Sequence, residues 1–469
     1  MNEDYLANIR PSHRQLMWQR MQMYAFIHFG MNTMTDREWG LGHESPALFD
    51  PDKLDVDQWM DALVSAGMTG VILTCKHHDG FCLWPSAYTS HTIASSPWKS
   101  GRGDLVGEVS ASARRHGLKF GVYLSPWDRS EPSYGLGKAY DDFYVNQLIE
   151  LLTHYGPLFC VWLDGACGEG ANGRRQVYDW ERYYAVIRAL QPEAVISVCG
   201  PDVRWCGNEA GHARANEWSV VPAALRSAEL TASKSQHAND GAFASAIRSD
   251  EEDLGSRSAI RGYDGAMAWY PSEVNTSIRP GWFHHPAEDD EVRTSAQLFD
   301  IWCQSVGGNA KFLLNVPPDR HGVMTPGDVA ALRGLGERIA DFMSRVVRKG
   351  VGVGYSSNQH AAPHADLLSS EGTSGYWLPA QGDDVPIVTL RFDEPKRVEA
   401  VVLREQISEG QRIDELQILF DGVPIASVGS VGYQRIVRCA SRQTSVIDIR
   451  ILRHRGRPRV ATVLAVAAR

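Results

Sequence analysis

Four apolar runs in the first half of the chain each stop on polar residues suited to chemistry. Val161-Trp162-Leu163-Asp164-Gly165 ends on a carboxylate followed at once by glycine. Tyr24-Ala25-Phe26-Ile27-His28-Phe29-Gly30 ends on a histidine, and Val71-Ile72-Leu73-Thr74-Cys75-Lys76-His77-His78-Asp79-Gly80 on two. Phe120-Gly121-Val122-Tyr123-Leu124-Ser125-Pro126-Trp127-Asp128 ends on Ser, Trp and Asp. A short apolar run bounded by turn residues reads as a buried strand, so each polar residue stands at a strand end, facing a cavity. A carboxylate there can serve as nucleophile or as acid and base. Neutral histidines both donate and accept hydrogen bonds, which suits a ligand rich in hydroxyl groups. Adjacent residues on a strand point to opposite faces, so His77 and His78 meet one ligand only if the strand bends at its end. That geometry, with no carboxylate–histidine spacing to support it, argues against a metal site, and none is expected.

The aromatic content points the same way. The chain has 14 Trp and 16 Tyr. Trp39, Trp84, Trp127, Trp162 and Trp282 all lie within a few positions of polar or charged residues. An aromatic face offers flat apolar area to the C–H face of a sugar while its polar neighbours bind hydroxyls. Glu38-Trp39-Gly40, on the loop after the first strand, is such a pairing. If the chemistry is glycoside cleavage, Asp164 needs a second carboxyl group. Asp202, Glu209 and Glu217 all follow the fifth strand, Glu217 at the end of a possible sixth strand, and position alone does not choose among them.

The elements that hold these residues alternate. Val56, Trp59, Met60, Leu63 and Val64 share one helical face, and Gly67 stops that helix before the second strand. Further helices are expected near 104–116, 140–155, 178–190, 292–306 and 326–348, with strands through Ala194–Cys199 and Gly265–Tyr270 and the closing strand through Lys311–Pro318. Residues 222–262 have weak periodicity and read as a long insertion or an irregular part of the barrel. A βα series whose strands deliver polar residues from their C-terminal ends predicts a (β/α)8-like barrel over residues 1–348. From 349 to 469 short strands without helices, separated by turns such as Asp421-Gly422, predict a C-terminal β-sandwich.

Composition bounds the partners. Of 469 residues, 43% are hydrophobic and 22% charged, an ordinary globular balance. A net charge of −9 disfavours nucleic acid as the partner, and no run of about 18 apolar residues exists to span a membrane. Eight cysteines with no Cys-x-x-Cys pair fit neither a disulfide scaffold nor structural zinc; Cys75, Cys160 and Cys199 read as small buried hydrophobes. The first residues lack a basic segment followed by an apolar one, so a cytoplasmic location is expected, or a secreted or periplasmic one if a leader has been removed.

Several motifs together resemble family 29 α-L-fucosidases. They are Ile27-His28-Phe29-Gly30, Glu38-Trp39-Gly40, Lys76-His77-His78-Asp79-Gly80-Phe81-Cys82-Leu83-Trp84, Tyr123–Asp128, Trp162-Leu163-Asp164-Gly165 and Phe312–Pro318, spread over most of residues 15–345. Gly200-Pro201-Asp202-Val203-Arg204-Trp205 with Gly207-Asn208-Glu209 resembles the subgroup that removes α-1,3- and α-1,4-linked fucose from branched glycans. The resemblance implies Asp164 as nucleophile, Glu209 as acid/base, and a fucose pocket of His28, Glu38, Trp39, His77, His78, Tyr123 and Trp162. Trp127-Asp128 and Arg204-Trp205 are expected to wall the space beyond that pocket, and Trp282 to contribute an aromatic face. No cofactor is implied, and the expected partner is a fucosylated oligosaccharide or glycoprotein glycan. The alternatives are a broader fucosidase that also takes α-1,2 links, another exo-glycosidase on the same barrel, or a carbohydrate-binding protein on an inactive barrel.

Overall fold

In the computed structural model, which describes residues 2–234, 254–359, 366–369 and 375–469, eight strands form one parallel sheet. They are β1 Met23–Ile27, β2 Gly70–Lys76, β3 Lys119–Leu124, β4 Cys160–Leu163, β5 Val195–Val198, β6 Arg204–Trp205, β9 Ser272–Ser277 and β10 Lys311–Asn315. Between them β7 Val220–Pro222 and β8 Met267–Trp269 pair antiparallel as a separate ribbon. The sheet order β5-β4-β3-β2-β1-β10-β9-β6 brings the ends together, and a parallel bridge from Ser197 to Val203 nearly closes the barrel.

The expected helices form and coat the outside. The helix Val56–Ser65 starts where Asp55 accepts from the backbone N–H groups of Asp57 and Gln58, satisfying two donors the first turn leaves unpaired. It buries Trp59, Met60 and Leu63, while Val64 turns out to solvent because the stripe that packs on the barrel is narrower than the apolar set. Gly67 then takes a left-handed φ of 80° with open space at its Cβ position, the usual end of a helix. Leu105–Arg115, Lys138–His154, Trp180–Leu190, Ser295–Ser305 and Pro326–Ser344 complete the coat near the expected positions. Cys75, Cys160 and Cys199 are fully buried, as read.

The barrel departs from the simple repeat after β5. No helix separates β5 from β6; the chain reverses within a few residues, with Val198 at a φ of 67° that a β-branched residue seldom adopts. The sixth strand is Arg204–Trp205, so Glu217 lies on a loop and does not end a strand. The seventh is Ser272–Ser277, not the Gly265–Tyr270 run, part of which belongs to the ribbon. Apolar periodicity missed it because Ser272-Glu273-Val274-Asn275-Thr276-Ser277 carries only one apolar residue. Residues 235–253 of the expected irregular stretch lie outside the described residues.

A C-terminal β-sandwich follows, built from β11 Val351–Tyr355, β12 Ile387–Glu405, β13 Ile413–Phe420, β14 Val423–Val428, β15 Arg435–His454 and β16 Val460–Ala467. Its strands run antiparallel in the order β11-β12-β15-β13-β14, with β16 also on β12. Asp421 and Gly422 both take positive φ, forming the two-residue turn between β13 and β14. The sandwich grips the barrel through Asn309, which donates its backbone N–H to Gln434 O (2.9 Å) and accepts at Oδ1 from Tyr433 N (2.8 Å). Among the described residues no helix is long and apolar enough to cross a membrane.

The segment after β9 is anchored to the last barrel helix by a buried ion pair. Arg279 and Asp328 are both fully buried and meet at 3.0 Å, and Arg279 also donates to Thr325 Oγ1 and Asp289 Oδ1, each at 2.8 Å. Removing one partner of a buried pair costs about 3–5 kcal/mol, because the other charge stays desolvated. Asp328→Ala should therefore lower the stability of the barrel by that order, read as a shifted midpoint in chemical denaturation.

Candidate active site

The C-terminal ends of the barrel strands converge on a cavity of about 630 Å³, counting its open mouth. Its walls include His28, Glu38, Trp39, His77, His78, Tyr123, Trp162, Asp164, Glu209 and Trp282, ten of the residues singled out from sequence. Phe26, Ala166, Val198, Trp205 and Asn275 complete it. Of these, Phe26, Ala166, Val198 and Asn275 were not singled out; Asn275 was hidden on the polar seventh strand, where polar residues at every second position were the available signal.

Asp164 follows the last residue of β4. Its Oδ2 accepts from the Tyr123 hydroxyl (2.7 Å) and its Oδ1 from the backbone N–H of Ala166 (2.9 Å). Burial pushes its carboxyl above the ordinary aspartate value, against the pull of those hydrogen bonds. Below it, Trp162 donates Nε1–H to Glu273 Oε1 (2.8 Å), and Tyr24 donates its hydroxyl to the same carboxyl group. Trp162 also packs on Phe26 (ring centroids 5.1 Å apart) and on Tyr123 (5.4 Å), giving the cavity a rigid aromatic floor.

The three histidines are neutral and differently wired. His28 Nδ1 lies 2.8 Å from Asn315 Oδ1, whose orientation is set because Asn315 Nδ2 donates to the Trp282 carbonyl (2.7 Å). Nδ1 therefore carries the proton and Nε2 is left as an acceptor. His78 Nδ1 lies 2.7 Å from Ser125 Oγ, which already donates to the Trp127 carbonyl, so His78 Nε2 is an acceptor too. Asn32 Nδ2 donates to the Glu38 carbonyl and faces His77 Nδ1 at 3.2 Å, which leaves His77 Nε2–H as a donor. Burial holds all three below the usual histidine range, His28 at about 4 and His78 at about 3. β2 ends at Lys76, and beyond it His77 and His78 sit with ring centroids 4.1 Å apart; the bend at the strand end brings both to the cavity.

Of the three candidate carboxyls after β5, only Glu209 reaches the cavity. Its loop is folded around buried Asn208, whose Oδ1 accepts from Ala210 N and His212 N (3.1 Å each). Trp282 donates Nε1–H to Glu209 Oε2 (3.0 Å). Burial raises Glu209 to about 7, with repulsion from Asp164 and Glu38 adding to it against the Trp282 hydrogen bond. Glu217 is buried between Arg204 (2.8 Å) and Arg214 (3.0 Å), which hold its carboxyl below the ordinary value. Asp202 is taken by Arg188 and Arg14 and by the Ile196 backbone N–H (2.8 Å).

Three residues expected on the wall are not there: Asp128, Trp127 and Arg204, the last drawn away because it is buried against Glu217 at 2.8 Å. Asp128 is 1% exposed and binds Lys76 Nζ at 2.8 Å, because the buried lysine needs a counter-charge. Trp127 lies behind the wall, edge-on to Trp39 with centroids 5.1 Å apart, and donates Nε1–H to the Glu169 carbonyl (3.1 Å). Trp84 belongs to the outer core, with Nε1–H on Glu150 Oε2 (2.8 Å). Among the described residues no group of three or more His, Cys, Asp or Glu is placed to hold a metal ion.

A parallel barrel whose mouth gathers two unpaired carboxyls, neutral histidines and aromatic faces defines the glycoside hydrolase class. Residues 14–342 match the model of the Alpha-L-fucosidase family, and the chain belongs to that family. It is 37% identical to Alpha-L-fucosidase 1 of Arabidopsis thaliana over 447 residues, covering 94% of this chain and 81% of the plant protein. A candidate α-L-fucosidase from Bacteroides ovatus superposes with a TM-score of 0.84 at 39% identity, covering 99% of this chain and 75% of that one. A Ruminococcus gnavus family 29 fucosidase, solved in complex with fucose, gives a TM-score of 0.85 at 25% identity, covering 98% and 95%. The chemistry is the hydrolysis of α-L-fucosides.

The contrast between Glu209 and Glu217 is measurable. Glu217→Ala removes the carboxylate that two buried arginines face, and should cost about 3–5 kcal/mol in chemical denaturation. Activity per folded molecule should stay within about an order of magnitude, since Glu217 does not line the cavity.

Proposed function

We propose that the protein is a retaining exo-α-L-fucosidase acting on α-1,3- and α-1,4-linked fucose of branched glycans, with Asp164 as nucleophile and Glu209 as acid/base. The observation that carries this reading is the presence in one cavity of two carboxyls without a cation beside them and with unequal donor support. Burial raises both; at Asp164 a hydroxyl and two backbone N–H groups oppose the rise and favour the charged form, whereas Glu209 has one indole N–H to oppose it and is raised to about 7, which favours its protonated form. Asp164 attacks the anomeric carbon as Glu209 gives its proton to the departing glycosidic oxygen. Glu209, now ionised, takes a proton from water; the water oxygen attacks the same carbon and frees Asp164. Two histidine acceptors and one donor match sugar hydroxyls without bringing charge into the site.

The linkage preference rests on two residues of the cavity wall. Trp205 lines the cavity and donates Nε1–H to Asn275 Oδ1 (3.1 Å), which offers an aromatic face and an amide to a neighbouring sugar. With Trp127 and Asp128 behind the wall, these two residues carry the preference, and a broader enzyme that also takes α-1,2 links is the alternative.

Asp164→Gly should lose nearly all turnover while keeping the fold, and added azide should restore part of it as a glycosyl azide; near-normal unaided activity would refute the nucleophile. Glu209→Ala should slow fucose release from an oligosaccharide by about 10²–10⁴-fold, and an activated aryl fucoside much less in the first step. For the parent protein, kcat/KM should fall above about pH 7 as Glu209 loses its proton, and Glu209→Ala should lack that limb. Fucose release from a Lewis trisaccharide should outpace release from an α-1,2-fucosylated disaccharide; the reverse order favours the broader enzyme.

A further inference from the structure

Glu38 does more than line the cavity. Its Oε2 accepts the Trp282 backbone N–H and its Oε1 the Phe283 N–H, both at 3.0 Å. Oε1 also lies 2.8 Å from His285 Nε2, and His285 Nδ1 lies 2.6 Å from Asp36 Oδ1. An ionised carboxylate only accepts, so an imidazole with a carboxylate oxygen at each nitrogen must carry both protons to bond both. His285 is thus a cation clamped between two acids of the loop after β1, while sitting on the segment after β9. The approach is close: a Cβ on Gly281 would stand 2.6 Å from Glu38 Oε1 and 2.9 Å from His285 Cδ2, so glycine is what fits there.

We propose that His285 is a positioning residue: as an imidazolium it fixes the Glu38 carboxylate, and through Glu38 the Trp282 backbone, and so sets both a wall of the fucose pocket and the indole that holds Glu209. The last step rests on the assignment of Glu209 made above; the effect on the pocket does not. Asp36 and Glu38 face His285 from the first loop, and Glu288 lies near it on its own segment. The Glu38 hydrogen bond, then that of Asp36, outweighs burial and raises the histidine to about 9. A raised value fixes the sign: the clamp is complete below the ordinary histidine range and is lost as pH rises through about 9.

The test uses His285→Ala and His285→Gln in the full chain, with circular dichroism and thermal unfolding to establish folding. Fucose affinity by calorimetry and kcat/KM on an aryl fucoside are followed across pH. At pH 7, His285→Ala should lose about 10- to 100-fold in fucose affinity, the equivalent of one charged hydrogen bond. His285→Gln, which can still donate to one acid, should lose less. The parent's affinity should decline around pH 9, and that decline should be absent from both variants; added imidazole should restore part of the loss in His285→Ala. Folded variants that bind fucose within about twofold of the parent, or that keep the same decline near pH 9, would overturn the proposal. Because binding is read directly, it fails independently of the acid/base assignment: an inactive parent that binds fucose would refute the reaction, not the clamp.

Discussion

Burying ionisable groups at the mouth of a barrel is the constraint on which the rest of the structure turns. Each carboxyl withdrawn from water must find a counter-charge, find hydrogen-bond donors, or stay protonated. This chain uses all three outcomes within a short stretch. Asp128, Asp202 and Glu217 are paired with Lys76, Arg188 and Arg204 and are thereby silenced. Asp164 is held by neutral donors alone, and Glu209 by one indole. Among the carboxyls that line the cavity, Asp164 and Glu209 are the two with no cation beside them; Glu273 is in the same state beneath the floor but does not line the cavity. Chemistry is thus located by where the fold withholds a salt bridge.

The same economy governs the histidines. Positive charge in the pocket would favour Glu209 as a carboxylate over its protonated form. Burial keeps His28, His77 and His78 neutral, and Asn315, Asn32 and Ser125 each fix one ring nitrogen so that the other faces the ligand with a defined role. The imidazolium His285 stands one layer back, where its charge is spent on Asp36 and Glu38.

Support for the cavity comes from below and from the side. Under the floor, Glu273 joins Trp162 to Tyr24 along the barrel axis, so the aromatic floor is hydrogen-bonded as well as packed. At the side, the sandwich braces the loop that follows β6: Ser430 Oγ donates to the Glu217 carbonyl (3.2 Å), which also accepts from Asn309 Nδ2 of the barrel (2.9 Å). The same loop carries Glu209, so the C-terminal sheet takes part in holding the irregular side of the barrel.

Much of the fold was legible in the sequence because it follows from local pattern. Apolar runs ending on Asp164, His28 and His78 gave strands and their functional ends, and helical stripes closed by residues such as Gly67 gave the coat. Short alternating strands after residue 349 gave the sandwich. The sixth and seventh strands were not legible, since one is two residues long and the other is polar on the face that lines the cavity. The choice among Asp202, Glu209 and Glu217 was not legible either from the residues alone, because it depends on which arginine reaches which acid. Nor was the withdrawal of Asp128 behind the wall, which follows from Lys76 lying 52 positions away in sequence but beside it in space, at the ends of the neighbouring strands β2 and β3. Residue type and spacing determine which groups can do chemistry. Only the packed structure decides which of them are neutralised by a partner brought from elsewhere in the chain, because electrostatic pairing acts over a few ångströms of space regardless of separation along the sequence.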